Sequence, residues 1–324
     1  MAHELWLVKG ATMTNITPLI GTLTWRSNKE ELGDEVSFDI AFNDTRHFPN
    51  NPCHLGDLVI LKNGDEITRV ILVDENKAGR SPIAYSGFDY AFYLNKSDIV
   101  IQFNKVPADQ AIRKVLAKFN VPIGNIVSMP TKIDKIFNNE KPSEIIKKII
   151  EIVEQATGKK YLMEMRQGKM YIQKQTDLII KGTFRLYENG PEHDVTSAIS
   201  NPSRKRSITN MVNSIIVVGN DDKVVLEKSD TTMMNKYGKL QKVITLDQNE
   251  KLSAAQVAQN ELKALSRVLE ETSIELIGDD NVRAGRLFEI KEPVTGIVGT
   301  YLIKDVTHSI AGGIHKMDLN LEAI

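Results

Sequence analysis

The chain has 324 residues, 41% of them hydrophobic, with 41 Lys and Arg against 42 Asp and Glu. That length and apolar content supply cores for two or three domains and exclude a disordered chain. A net charge of −1 excludes the positive field of a general nucleic-acid binder. Cys53 stands alone, so no internal disulfide can form and an intracellular origin is expected. Met1 to Trp6 lacks the basic and apolar regions of a signal peptide, and no stretch approaches the ~20 apolar residues of a membrane span.

From residue 16 to 90 apolar residues recur with period two, as in Val36, Phe38, Ile40 and Phe42, or Ile83 and Tyr85. This is the pattern of antiparallel strands with one buried face. Asn63-Gly64 between two such runs predicts a hairpin with a type I′ turn, in which both central residues take positive φ. At Val106-Pro107 the period changes: Ile112, Val115, Leu116 and Phe119 share one face of a helix that Pro107 begins and Pro122 and Gly124 stop. A second helix starts near Pro142 and ends at Gly158, and strands over 161–165 and 169–173 turn at Gln167-Gly168.

Residues 201–206, Asn-Pro-Ser-Arg-Lys-Arg, read as a linker into the last region. Strands over 211–218 and 223–228 meet across Gly219 to Asp222. A helix over 253–271 aligns Val257, Ala258, Leu262, Leu265 and Leu269. Strands at 273–277, 286–291, 299–307 and 314–321 close the chain. In the last, Met317, Leu319 and Leu321 alternate with Lys316, Asp318 and Asn320, giving one buried and one wet face.

Two of these regions echo each other. Ser37-Phe38-Asp39-Ile40 followed by Gly56-Asp57-Leu58-Val59-Ile60-Leu61-Lys62 returns as Ser273-Ile274-Glu275-Leu276 followed by Gly285-Arg286-Leu287-Phe288-Glu289-Ile290-Lys291. Each copy sets a short strand before a glycine, then a six-residue strand ending in Lys, then a further hydrophobic strand. A repeated β-unit points to a built object whose role lies in its shape. A trimer of such chains would set six similar units around one axis, and a closed ring leaves no free sheet edge.

No candidate chemistry outweighs its structural explanation. His47, Cys53 and His54 lack a fourth ligand for zinc and lie in a loop around Asn50-Asn51-Pro52. Asp221-Asp222 and Asp279-Asp280 occupy turns, where Asp is favoured whatever the function. His193, His308 and His315 have no Ser or Cys nucleophile in a recognisable elbow. Arg204-Lys205-Arg206 reads as a solvated linker, with contact to a neighbouring chain as the next reading. Phe88, Tyr90 and Phe92 read as one face of a strand, packed in a core or an interface. No catalytic residue, metal site or cofactor is expected.

Phe88-Asp89-Tyr90-Ala91-Phe92-Tyr93-Leu94-Asn95-Lys96-Ser97, followed by the helix after Pro107, resembles the XkdQ/YqbQ family of contractile phage-like tails. Thr157-Gly158-Lys159-Lys160-Tyr161 and Asn201-Pro202-Ser203 through Ser207-Ile208-Thr209-Asn210-Met211-Val212-Asn213 fit the same family. The resemblance covers essentially the whole chain. It implies a mixed, mainly β fold: tube-type antiparallel β-barrel domains over 1–104 and 205–324, the second with helix 253–271, around an α/β module over 105–204. It implies a structural, non-enzymatic baseplate hub similar to late control D proteins and to the N-terminal part of type VI spike proteins. Such a hub is a homotrimer joining a sixfold tail tube to a threefold spike.

The expected partners are the chain itself, the tail tube protein, a central spike or tip protein and other baseplate proteins, among them a LysM-type tail protein and the tape measure protein. The expected location is the tail baseplate of a virion or phage-like particle, assembled in the bacterial cytoplasm. Because the sequence stops after the last strand, the piercing tip and any lytic domain are expected on separate polypeptides. Residues assigned to ring or partner contacts are Asn63, Gly64, Phe88, Tyr93, Arg204, Arg206, Lys263 and Arg267. The competing readings are a tail-associated cell-wall hydrolase, which would need a pocket of convergent titratable groups, and a monomeric ligand-binding adaptor built on the central module.

Overall fold

A computed structural model of the protein describes residues 3–42, 50–181, 183–184, 191, 193–219, 223–245 and 253–323. The fold is mainly β with antiparallel sheets. It divides into two compact units, one of residues 1–202 and 273–324, the other of residues 203–272.

The first unit opens with β1 (Glu4–Lys9), β2 (Thr12–Asn15), β3 (Ile20–Asn28), β4 (Asp34–Ile40), β5 (Leu58–Asn63), β6 (Asp65–Asn76) and β7 (Ile83–Phe88). They pair antiparallel in the order β3-β4-β7-β6-β5-β1-β2. Alternation places Val36, Phe38 and Ile40 of β4 in a core with Val59, Leu61, Val70, Leu72, Ile83 and Tyr85. The Asn63-Gly64 hairpin exists, but not as type I′. Asn63 pairs with Asp65, Gly64 alone has positive φ at 78°, and a bulge between Leu61 and Lys62 absorbs the tighter link.

The aromatic run after β7 does not continue as a strand. Asp89 accepts hydrogen bonds from the N–H groups of Asp34 (2.8 Å) and Ala91 (2.9 Å), which turns the chain into helix α1 (Ala91–Lys96). Ala91 and Leu94 are then buried three residues apart. They pack with the α/β module, made of β8 (Ile99–Pro107), α2 (Ala108–Lys118), β9 (Ile123–Ile126), β10 (Lys132–Glu140), α3 (Pro142–Thr157), β11 (Tyr161–Arg166) and β12 (Lys169–Lys174). Ile112, Val115 and Leu116 of α2 meet Ile145, Ile146, Ile149 and Val153 of α3 in this core. Gly158 ends α3 in the left-handed conformation, at φ 68°.

Three short strands follow: β13 (Ile179–Ile180), β14 (Thr183–Phe184) and β15 (His193–Asp194). Residues 201–206 then form not a solvated linker but part of β16 (Ser200–Ser207). Ion pairs from Arg204 to Glu270 and from Lys205 to Glu271, both 2.9 Å, meet charges that in sequence looked free for solvent.

The second unit holds β17 (Ser214–Val218), β18 (Val224–Ser229), α4 (Thr231–Tyr237), β19 (Gln241–Thr245) and α5 (Ala254–Leu265). A capping box of Ser253 and Gln256 starts α5, whose Ala258 and Leu262 pack on Ile215 and Val217 of β17. The helix expected to reach residue 271 stops at Leu265. Ser266 donates to Asp230 (2.9 Å), and Leu269 already begins the next strand.

That strand, β20 (Leu269–Ile277), returns the chain to the first unit, followed by β21 (Leu287–Glu292), β22 (Ile297–Ala311) and β23 (Ile314–Ala323). Their order, β20-β23-β22-β21, is the permutation already seen in β4-β7-β6-β5. The agreement extends to single hydrogen bonds. Gly56 N–H donates to Leu72 O and Leu72 N–H to Asp57 O, as Gly285 N–H donates to Ile303 O and Ile303 N–H to Arg286 O, all within 2.8–2.9 Å. Both glycines have positive φ, 87° and 81°. Core positions correspond as well: Phe38 with Ile274, Val59 with Phe288, Leu61 with Ile290, Leu72 with Ile303. The two copies join where β22 pairs antiparallel with β3, from Asp305 opposite Asn28 to Ile310 opposite Leu23.

A buried polar knot ties both copies to the α/β module. Arg283 donates to Asp34 (2.6 and 2.8 Å) and to Met165 O (2.9 Å), while Arg286 binds Glu164 through two bonds of 2.7 and 3.0 Å. Burial and the adjacent Asp34 carboxylate push Asp89 above the usual carboxylate range. Removing one partner of a buried pair leaves the other charge uncompensated. Arg283→Ala is therefore expected to lower stability by about 3–5 kcal/mol, read by urea denaturation. Arg283→Lys, whose side chain is one bond shorter than the reach to the Nη2 that makes all three contacts, is expected to recover little of the loss.

Candidate functional site

A second convergence of polar side chains lies at the joint between the copies. Pairing of β22 with β3 sets His308 opposite Trp25, and their rings stack with centroids 4.7 Å apart and an interplanar angle of 1°. His308 Nε2 is 2.9 Å from Val282 O. A carbonyl only accepts, so Nε2 carries the proton and the neutral ring offers its Nδ1 lone pair to His315 Nε2, 3.0 Å away. His315 thus donates through Nε2, and its Nδ1 lies 3.9 Å from Asp280 Oδ1.

Asp280 collects the other two groups. His3, just ahead of β1, brings Nε2 to 2.8 Å from Asp280 Oδ1, and Asn63 of the β5–β6 hairpin donates to Oδ2 at 2.7 Å. The His3 and His315 rings meet edge-on at 4.7 Å, with Trp25 packed against both. Burial, then the charge of His315, pushes His308 down to about 3. Burial pushes His315 down to about 4 against the opposing pull of Asp280. Asp280 lies below the usual carboxylate range, since hydrogen bonds from His3 and Asn63 outweigh its burial. Gly278 makes room for the arrangement: a Cβ there would fall 2.2 Å from the His315 ring.

Asp279 and Asp280 lie in a turn, as read from the sequence, but only Asp279 is accounted for by the turn alone. Asp279 accepts from Asn281 N–H (2.9 Å) as turn chemistry demands, whereas Asp280 is drawn into the histidine cluster. Asn63 is the expected contact residue that the cluster absorbs. Gly64 forms the hairpin tip beside it. Phe88 ends β7 and stacks on Phe92 at 6.4 Å, and Tyr93 is exposed on α1. In the second unit Arg204 and Arg206 both face Glu270, while Lys263 and Arg267 are exposed on and just beyond α5. No spacing or motif points to His3, which lies 277 residues from Asp280 in the chain.

Residues 23–322 match the YQBQ-like family. The chain belongs to that family. It is 26% identical to the phage-like element PBSX protein XkdQ of Bacillus subtilis over 275 residues, 82% of this chain and 81% of XkdQ. Among solved structures, the 43 kDa tail protein of prophage MuSo2 from Shewanella oneidensis shares the fold at a TM-score of 0.68 and 13% identity, covering 98% of both chains. The tail protein from Neisseria meningitidis aligns at a TM-score of 0.64 and 14% identity, covering 100% of this chain and 97% of that one.

The Cys/His stretch of this family member is not assembled into a site among the described residues. His47 lies outside them. Cys53 is buried in the first core, whereas His54 is exposed, 3.1 Å from Lys9 Nζ. Burial, reinforced by the nearby Asp57 carboxylate, pushes the Cys53 thiol up to about 12. The native protein is accordingly expected to resist a disulfide-exchange thiol reagent at pH 8 and to react with one equivalent once unfolded in guanidinium. A rapid native reaction would contradict this burial.

Proposed function

We propose that the chain is the baseplate hub of a contractile tail, a homotrimeric ring that joins a sixfold tail tube to a threefold central spike. Family membership and the fold shared with phage tail proteins support a structural tail role. The observation that carries the ring is the repeated four-strand unit, β4-β7-β6-β5 and β20-β23-β22-β21, each read as one tube-type barrel. Three chains then supply six equivalent units.

The joint between β22 and β3 indicates how such units meet. Its equivalent edges are the outer side of β6 over residues 74–76 and the outer side of β16, which have no strand partner there among the described residues. Ion pairs of Lys205 with Glu271 and of Arg206 with Glu270 register β16 on β20 as β3 is registered on β4, where Arg26 lies opposite Glu35. Transferring Thr307 opposite Arg26 and Val306 opposite Ser27 puts Asn76 of one chain opposite Lys205 of the next, and Glu75 opposite Arg206. The second of these pairs joins opposite charges. A closed ring satisfies both exposed edges at once.

In this reading the remaining ring surfaces hold the tube protein, the spike or tip and neighbouring baseplate proteins, the LysM-type and tape measure proteins included. The particle is assembled in the bacterial cytoplasm. Affinity comes from preformed, complementary β-rich surfaces, with little ordering to offset.

A reconstruction of the particle is expected to show three copies on the tail axis with six β-units in a ring. One copy at each of six peripheral wedges would refute the hub. Mixing an Asn76→Cys chain with a Lys205→Cys chain is expected to give a disulfide between chains in assembled particles, seen as a doubled mass on a non-reducing gel. Assembled particles yielding monomers alone would refute this edge pairing.

A further inference from the structure

We propose that His3, Asp280 and His315 form a binding site for a divalent transition-metal ion of the zinc class at the joint between the two repeated four-strand units. One ligand atom from each of the three lies within 4.8 Å of the others. Zinc holds nitrogen and carboxylate oxygen at about 2.0–2.2 Å, so small ring and carboxylate movements bring all three onto one ion. Two imidazoles and a carboxylate suit zinc and its neighbours rather than calcium or magnesium, which take oxygen ligands.

The hydrogen-bond network adds to this geometry. His308 Nε2 lies 2.9 Å from Val282 O and its Nδ1 3.0 Å from His315 Nε2, so the His315 nitrogen on the Asp280 side is Nδ1. Its separation of 3.9 Å from Asp280 Oδ1 is close to that of two ligands each about 2 Å from one ion. An ion would also take the place of the proton that bridges His3 Nε2 and Asp280 Oδ1.

The surroundings have the form of a metal site's outer shell. His315 is oriented through its second nitrogen by His308, and Asp280 is held through its second oxygen by Asn63, leaving Nδ1 and Oδ1 for the ion. Trp25 walls one side. Side-chain exposures of 7% for His3, 14% for His315 and 22% for Asp280 leave the cluster sheltered yet open to entry. Three protein ligands leave a further position for water. Because His3 precedes β1, Asp280 follows β20 and His315 lies on β23, the ion would tie the segment ahead of β1 to the second four-strand unit.

The test uses the full chain, stripped with a chelator and titrated with zinc chloride by calorimetry, with metal content measured after dialysis. One zinc per chain and a raised thermal midpoint are expected. Asp280→Asn and His315→Gln should each weaken zinc binding by about tenfold or more, while His54→Ala, an exposed histidine elsewhere, should bind as the parent does. Histidine-ring nitrogen NMR of the parent chain gives a readout free of any folding defect in the variants: zinc should shift His3 and His315 and leave His54 unmoved. Absence of stoichiometric uptake, full affinity in both variants, or a zinc response confined to other histidines would overturn the site.

Discussion

A guanidinium taken out of water must have its charge met in place, and in this protein that demand falls on Arg283, whose Nη2 makes all three of its hydrogen bonds. Its hydrogen-bond partners come from two parts of the chain, Asp34 on β4 of the first copy and Met165 O on β11 of the α/β module, and Arg283 itself stands between β20 and β21 of the second copy. Arg286 repeats the tie to β11 through Glu164. An approach this close leaves no space for side chains at the glycines beside it. A Cβ at Gly33 would lie 2.7 Å from Asp89 Oδ1, and one at Gly285 would lie 2.2 Å from Leu162. The three cores are thus separate in apolar contacts but share one polar centre.

Around that centre the two copies differ mainly in what is inserted, not in how strands are ordered. The first copy keeps its four strands within residues 34–88, while the second is preceded by β16 and the compact unit of residues 203–272. Corresponding glycines and core residues persist because a left-handed backbone and an inward-facing position tolerate few alternatives. Surface positions do not carry that constraint. Trp25, a member of the first core, and the buried His308 belong instead to the packing of the joint, and the polar cluster lies beside them.

Much of this architecture was legible in the sequence, for reasons that differ by element. Gly56 and Gly285 with their flanking alternation exposed the duplication, and α2 and α3 were legible from period 3.6 between Pro and Gly signals. Local patterns misled where a side chain captured the backbone. Asp89 turned a run of aromatics into α1, and Asp230 capped α4, which no apolar stripe announced. Pro202 and three consecutive cations made β16 resemble a linker because the acids that pair with them lie more than 60 residues away. The histidine cluster was illegible for the same reason in stronger form. His3, Asn63, Asp280 and His315 share no spacing, and only the meeting of β3 with β22 brings them together.

That meeting also has a timetable. β3 ends at Asn28, but Asp305, the residue opposite it on β22, is made 277 residues later. At translation rates of about 5–20 residues per second, the β3 edge waits roughly 15–55 s for its partner strand. During that interval a bare strand edge can recruit the wrong chain, above all on a polysome where identical nascent chains are crowded together. Thr22, Thr24, Arg26, Ser27 and Asn28 make β3 unusually polar for a strand that ends up in the middle of a sheet. Their composition suits the long exposure before pairing better than it suits the finished fold, so the price of building two copies into one chain is written into the strand that must wait.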